Sequence, residues 1–320
     1  MSKLSNAPFF RSPIKSQHIM RDVLVALIPV SIMSVVKFGL GALLLMVTGV
    51  ISAVFFEYLY QKLTKKKPTI SDLSACVTGL LVGLSYPVTA PLWVVILGSF
   101  IAIVLIKQLP GGIGKNMFNP AVFSRVFIKI ILTPFMTNWV TPLPDMTSTA
   151  TPLEFIGNGQ NSLQQGLPSL YDLFMGNLGG NIGETVKWAI LLGFLYLVIR
   201  GVIHAWMPLA SLAGLFLTVL LFGKSDYHYA LYHLLSGTVL FASVFMVTDY
   251  TSGPINPKAK LIFALGVGIL TGVIRYSFDL PGAVGVAILI MNVLAPLIDG
   301  FSAPKVFGYH RPAPLVPPRK

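Results

Sequence analysis

Apolar residues run through this chain in long blocks, separated by short clusters of Lys, Pro, Gly and Asn. Ten blocks can be drawn, near residues 22–37, 38–60, 71–87, 89–107, 118–135, 185–203, 204–223, 229–248, 259–276 and 281–298. A helix needs about 17–25 residues to cross a hydrocarbon core of about 30 Å. The third block is short and carries Asp72, Ser74, Thr78 and Ser85, and the fifth carries Arg125 and Lys129. Short or polar blocks belong to helices buried among other helices or broken at a site. The period-two alternation of a membrane β-barrel is missing. The pattern predicts an all-α polytopic membrane protein of about ten transmembrane helices.

A faint internal repeat adds to this. Leu109-Pro110-Gly111-Gly112-Ile113-Gly114 is echoed by Leu280-Pro281-Gly282-Ala283-Val284-Gly285, and each precedes a block containing an asparagine, Asn119 or Asn292. Thr78-Gly79 in the third block is echoed by Ser236-Gly237 in the eighth. An odd number of crossings per half gives halves of opposite topology, the inverted-repeat plan of many transport folds. The expected organisation is an N-terminal segment 1–21, a five-helix half 22–135, a loop 136–184, a second five-helix half 185–299 and a basic, Pro-rich tail 300–320.

Composition supports the bilayer as solvent. Of 320 residues, 54% are hydrophobic and 11% charged, with a mean hydropathy of +0.77; soluble domains carry roughly 25% charged residues. The net charge of +12 does not point to nucleic acid, because Lys and Arg sit in short loops and at the termini. With ten crossings and a cytoplasmic N-terminus, 17 Lys and Arg fall on the inside and three (Lys37, Lys224 and Arg275) on the outside. That asymmetry predicts both termini in the cytoplasm of a bacterial inner-membrane protein. The first twenty residues lack an apolar core ahead of a small-residue cleavage site and predict no cleaved signal peptide. Cys76 stands alone, so no disulfide or cysteine-held cluster forms within the chain.

From residue 130 to residue 186 there is no Lys or Arg. This stretch is the expected outside loop, and long loops carry function. It contains Asp145-Met146-Thr147-Ser148-Thr149-Ala150-Thr151-Pro152. Read on their own, these residues make an ordinary hydroxyl-rich turn between Pro144 and Pro152. Thr151, extended because a proline follows it, should hold its hydroxyl clear of any helix.

The same stretch resembles the flavinylation motif Asp-x-x-Ser/Thr-x-Ala-Thr, with Asp145, Ser148, Ala150 and Thr151 at its fixed positions. The chain as a whole resembles the D-type subunit of Rnf-type electron transport complexes and the related B-type subunit of sodium-pumping NADH:quinone reductases. The likeness includes Asn119-Pro120-Ala121, His233-Leu234-Leu235-Ser236-Gly237, Thr248-Asp249, Met291-Asn292 and Pro296-Leu297-Ile298-Asp299. The resemblance implies FMN joined through its phosphate to Thr151 and a second, noncovalent flavin, riboflavin. It implies a urea-transporter-like fold, a flavin transferase for maturation, and partner subunits of the A, B, C, E and G types. It further implies electron exchange between ferredoxin and NAD coupled to Na⁺ or H⁺ movement. The flavin phosphate needs counter-charge, from solvent or from Lys129 or Lys187 at the ends of blocks.

Other polar residues in or near blocks divide into two expectations. Arg125 and Asp72 are expected to pair inside the bundle, whereas Lys129, Asp249 and Asp299 are expected to reach the headgroups. His228 and His233 are expected at the interface, without haem or metal spacing. Two rival functions stay open on the residues alone. A small-solute transporter or channel fits the inverted plan, and a structural anchor fits the tail from Phe301 to Lys320.

Overall fold

The computed structural model describes residues 16–153, 169–222, 227–278, 280 and 282–302. The N-terminal charges before Ser16, Glu154, Lys224, Pro281 of the repeated hexapeptide and the tail from residue 303 lie outside the described residues. Among the described residues the secondary structure is helical, apart from one isolated antiparallel bridge between Val140 and Ser148.

The chain opens with two long apolar helices, α1 (Ser16–Phe38) and α2 (Leu40–Leu63). The single residue between them, Gly39, has φ of +70°, a conformation that costs glycine little and other residues much. Next come α3 (Ser74–Leu84), α4 (Leu92–Gln108), α5 (Pro120–Ile131) and the short α6 (Thr133–Met136). From Ile101 onward α4 is wound as a π-helix, a departure often found at functional positions. After the long loop come α7 (Leu170–Met175), α8 (Lys187–Ile199) and α9 (Trp206–Phe222). They are followed by α10 (Tyr227–Leu235), α11 (Val239–Phe245), α12 (Pro257–Phe278) and α13 (Ala283–Ser302).

Every apolar block therefore coincides with a helix or a broken helix. Among the described residues, α1, α2, α12 and α13 are long and apolar enough to cross a membrane. The apolar helices α3, α4, α8 and α9 are shorter. The third, fifth and eighth blocks depart most from full-length spans. The fifth breaks between α5 and α6, and the eighth breaks into α10 and α11 at Gly237, whose φ is +67°. All seven residues of α11 are buried, as are most of α3. Helices wrapped by protein need not match the hydrocarbon thickness. Large apolar side chains such as Leu40, Leu63, Ile199 and Leu221 are mostly exposed, as expected of a multi-pass membrane protein whose surround is lipid.

Glycine allows the helix backbones to touch, the packing mode of membrane helices. A Cβ on Gly49 of α2 would lie 2.4 Å from the carbonyl oxygen of Gly79 on α3. In the second half, a Cβ on Gly268 of α12 would lie 2.0 Å from the carbonyl oxygen of Ser211 on α9.

Three acidic residues resolve differently from expectation at this level. Among the described residues Asp72 makes no ion pair; its Oδ1 accepts from the backbone N–H of Ser74, the first residue of α3, at 2.8 Å. Asp249 and Asp299 do not reach outward. The Asp249 carboxylate accepts from Asn119 Nδ2 at 3.1 Å and Ser252 Oγ at 2.9 Å. Asp299 accepts from the backbone N–H groups of Ile255 and Asn256, at 2.8 and 3.0 Å. Each ties a loop to a helix end, where unmade backbone hydrogen bonds would be costly.

Candidate functional site

The motif residues lie on a clasp that doubles back on itself. Thr149 N–H donates to the Trp139 carbonyl at 3.0 Å, and Thr141 N–H donates to the Thr147 carbonyl at 2.8 Å. Leu143 N–H donates to the Lys37 carbonyl at 2.8 Å, fixing the clasp to the end of α1. Asp145 is exposed at its tip, beside Met146 with φ of +47°. Ser148 is exposed with its Oγ 3.4 Å from Asn138 Oδ1, and Ala150 is half-buried.

Thr151 is not clear of the helices: it is 5% exposed. The residues after it explain why. Pro152 and Leu153 begin a helical turn and are buried. Leu153 packs on Gly237, where a Cβ would lie 2.8 Å from Leu153 Cδ1. Gly237 thus gives the chain room to carry Thr151 into the bundle.

There Thr151 lines a cavity of about 20 Å³ with Arg125, Lys129, Asn181, Glu184 and Thr238. Asn119 starts the helix that supplies the two cations: its Oδ1 accepts from Ala121 and Val122 N–H, and Pro120 occupies the first helical position. Four residues apart on α5, Arg125 and Lys129 share one face. Glu184 is the acidic centre. It accepts from Asn181 Nδ2 at 3.0 Å, from the hydroxyl of Thr238, and from Asn181 N–H at 3.2 Å. Arg125 Nη2 lies 3.5 Å from Glu184 Oε2, both side chains at most 10% exposed, so the buried pairing expected for Arg125 is present. Lys129 is half-buried and lines the cavity. Lys187 donates to the Glu184 carbonyl and to the Gly237 carbonyl, the latter at 3.2 Å. His233 is buried rather than interfacial, with its ring edge-on to Tyr229 at 4.6 Å and its carbonyl accepting from Arg275 at 2.7 Å.

A second polar region lies at the opposite end of the bundle. A cavity of about 80 Å³ there is lined by Ser74, Lys107, Asn116, Asn119, Asp249 and Thr251 among others. Lys107 Nζ is 2.6 Å from Glu57 Oε2, with the two side chains 2% and 0% exposed. Gln61, Gln108 and Thr69 donate to Glu57 Oε1 at 3.0 to 3.2 Å.

Sequence reasoning overlooked Glu57, Thr238 and the role of Glu184. A lone carboxylate inside an apolar run was a usable signal for Glu57, since a charge there requires a partner. For Glu184, the signal was its position in a Gly- and Asn-rich stretch just ahead of Lys187.

Residues 3–308 match the model of the NQR2, RnfD, RnfE family. The D-type subunit of the Na⁺-translocating ferredoxin:NAD⁺ oxidoreductase complex of Acetobacterium woodii is 38% identical over 95% of each chain. The D-type subunit of the proton-translocating ferredoxin:NAD⁺ oxidoreductase complex of Clostridium ljungdahlii is 36% identical over 96% of each. The corresponding subunit of an ion-translocating oxidoreductase complex of Haemophilus influenzae is 31% identical, over 97% of this chain and 98% of its own. With a family match over nearly its whole length and relatives of this identity and coverage, the chain belongs to the NQR2, RnfD, RnfE family.

Proposed function

We propose that this chain is the flavin-carrying membrane subunit of an ion-translocating oxidoreductase complex, with FMN joined through its phosphate to Thr151. In this reading the complex exchanges electrons between ferredoxin and NAD and couples them to movement of Na⁺ or H⁺. The chain acts with partner subunits of the A, B, C, E and G types after a flavin transferase has loaded it. The observation that carries the reading is the site of Thr151: a hydroxyl at the fixed end of the motif, in a cavity it lines with Arg125 and Lys129.

The residues present fit the phosphate end of the group, because they supply a hydroxyl to esterify and cations to face the ester. The flavin supplies the electron-carrying chemistry; the chain's part is to hold it and exclude alternatives. The reading extends to riboflavin as a second, noncovalent flavin held elsewhere among the helices. It also includes ten crossings in two inverted five-helix halves, an inner-membrane location, cytoplasmic termini and the Thr151 loop outside. Reporter fusions after Lys67 and at Gly159 should then read inside and outside respectively.

The functional test purifies the complex bearing Thr151→Ala and measures subunit stoichiometry together with ferredoxin-dependent NAD reduction. A complete complex with turnover near zero is expected. Full turnover with all subunits present would remove the flavin from the electron path.

A further inference from the structure

Thr151 is 5% exposed, and the cavity it lines measures about 20 Å³, room for about one water. An ester at its hydroxyl has no space to form there. Thr151 Oγ must reach the flavin-side phosphorus of a flavin dinucleotide while the bond between the two phosphates breaks. The hydroxyl proton passes to solvent, and a nucleoside monophosphate leaves. Attacking oxygen, phosphorus and leaving oxygen lie roughly in line, so the hydroxyl needs open space beside it as long as a diphosphate.

The segment that buries Thr151 is short and rests on a fixed seat. The clasp is tied by Leu143 N–H to the Lys37 carbonyl, and by Thr141 and Thr149 N–H to the Thr147 and Trp139 carbonyls. Ala150 to Leu153 lie beyond the Thr149 rung. Leu153, 9% exposed, sets its Cδ1 2.8 Å from the position a Cβ would take on Gly237. Gly237 is itself pinned. Its carbonyl accepts from Lys187 at 3.2 Å, and Arg275 donates to the carbonyls of His233 and Ser236 just before it, at 2.7 and 3.1 Å. The seat is therefore anchored backbone, whereas the part resting on it is one apolar side chain. Segments held by few buried contacts open far more easily than the fold as a whole.

We propose that Leu153 is a latch: the closed clasp withholds Thr151, and release of Leu153 from Gly237 swings residues 150–153 outward to present the hydroxyl to the flavin transferase. The inference rests on the assignment of FMN to Thr151 and adds when that residue can be reached. Glycine at position 237 serves the latch, because a side chain there would stand where Leu153 is seated.

The experiment uses the full-length chain in nanodiscs with its one cysteine removed by Cys76→Ala, so that a single introduced cysteine reports access to a membrane-impermeant maleimide. Thr151→Cys should react at least tenfold more slowly than Ser148→Cys, which is exposed on the same clasp. Adding Leu153→Ala should speed Thr151→Cys at least tenfold and leave Ser148→Cys unchanged. Leu153→Met, close in volume, should leave both rates near those of the parent. Ser85→Cys, 1% exposed just after α3, should stay unreactive throughout. Reaction there in Leu153→Ala would mean that the whole end had loosened and would overturn a specific latch. So would a Thr151→Cys that reacts as fast as Ser148→Cys in the parent. In a second arm, the unflavinylated chain with Thr151 intact is incubated with flavin transferase and flavin adenine dinucleotide. Covalent flavin, read by fluorescence of the denatured protein, should appear at least tenfold faster in Leu153→Ala. Equal, nonzero rates in the two chains would overturn the latch. Faster maleimide labelling with no flavin on either chain would leave the latch standing and overturn the assignment of FMN to Thr151.

Discussion

At one end of the bundle Glu57 and Lys107 meet at 2.6 Å, fully buried, one anion against one cation. Gln61, Gln108, Thr69 and Ser74 occupy the remaining donor and acceptor positions. At the other end Arg125 and Glu184 stand 3.5 Å apart, and three further cations surround the same carboxylate. The first arrangement is electrically closed and needs no further ion. The second is looser, with the pair lining a cavity beside a threonine. A buried ion pair alone is weak support for either stability or function; the spacing of the pair and the cavity beside it tell the two regions apart.

The largest effect should come from opening the closed pair. Lys107→Met or Glu57→Ala leaves a buried charge without its partner and should cost about 3–5 kcal/mol, read as thermal unfolding in detergent. The paired variant Glu57→Gln with Lys107→Met should recover most of that loss, because no charge remains. Equal losses in single and paired variants would mean that shape rather than charge matters there.

The looser cluster should respond differently. In the Thr151→Ala chain, Arg125→Gln should cost under about 2 kcal/mol, since Glu184 keeps Lys187 nearby and repulsion among the cations falls. Glu184→Gln should destabilise the Thr151→Ala chain more than the flavinylated chain, because a bound phosphate replaces part of the lost negative charge. A double-mutant cycle should give a coupling of about 1–2 kcal/mol between positions 151 and 184. Zero coupling would remove the anion from the account of this cluster.

How much of this was legible beforehand depends on the range of the interaction. Apolar blocks located the long helices, because burial in lipid or protein acts on each segment locally. The shortness of α3 was visible in its serines and threonines. The contact of Asp72 with the first N–H of α3 was also present locally, as Asp-x-Ser at a helix start, but a general expectation of ion pairing hid it. Lys107 stands where an apolar block ends, and the π-wound end of α4 carries its ammonium to Glu57 through a contact that no local pattern encodes. The burial of Thr151 was not legible. It depends on Leu153 packing against Gly237 in another part of the chain, and no local pattern encodes that contact. The four motif positions were legible as a motif, and their gradient from exposed Asp145 to buried Thr151 was not.

The smallest expected effect lies in the loop itself. The Ser169 hydroxyl, followed by the Asn177 amide, holds the Asp172 carboxyl below its ordinary value of 3.8. A depressed folded value contributes stability that is present above the unfolded value and is lost as pH falls through the folded one. The ordering of α7 should therefore be insensitive to pH above about 4 and weaken only below it. Carbon-13 titration of the aspartates should find Asp172 below the others, and Ser169→Ala should move it upward. An unmoved titration would mean that the hydroxyl contact is absent in solution.

The central claim, that Thr151 carries the flavin, is tested most directly by mass. The chain, purified from cells that contain a flavin transferase and digested, should yield a peptide spanning Thr151 heavier by one FMN less the elements of water. Fragmentation should assign the addition to Thr151 itself. An unmodified Thr151 with the added mass on Thr147 or Thr149, or a chain bearing no covalent flavin, would contradict the account.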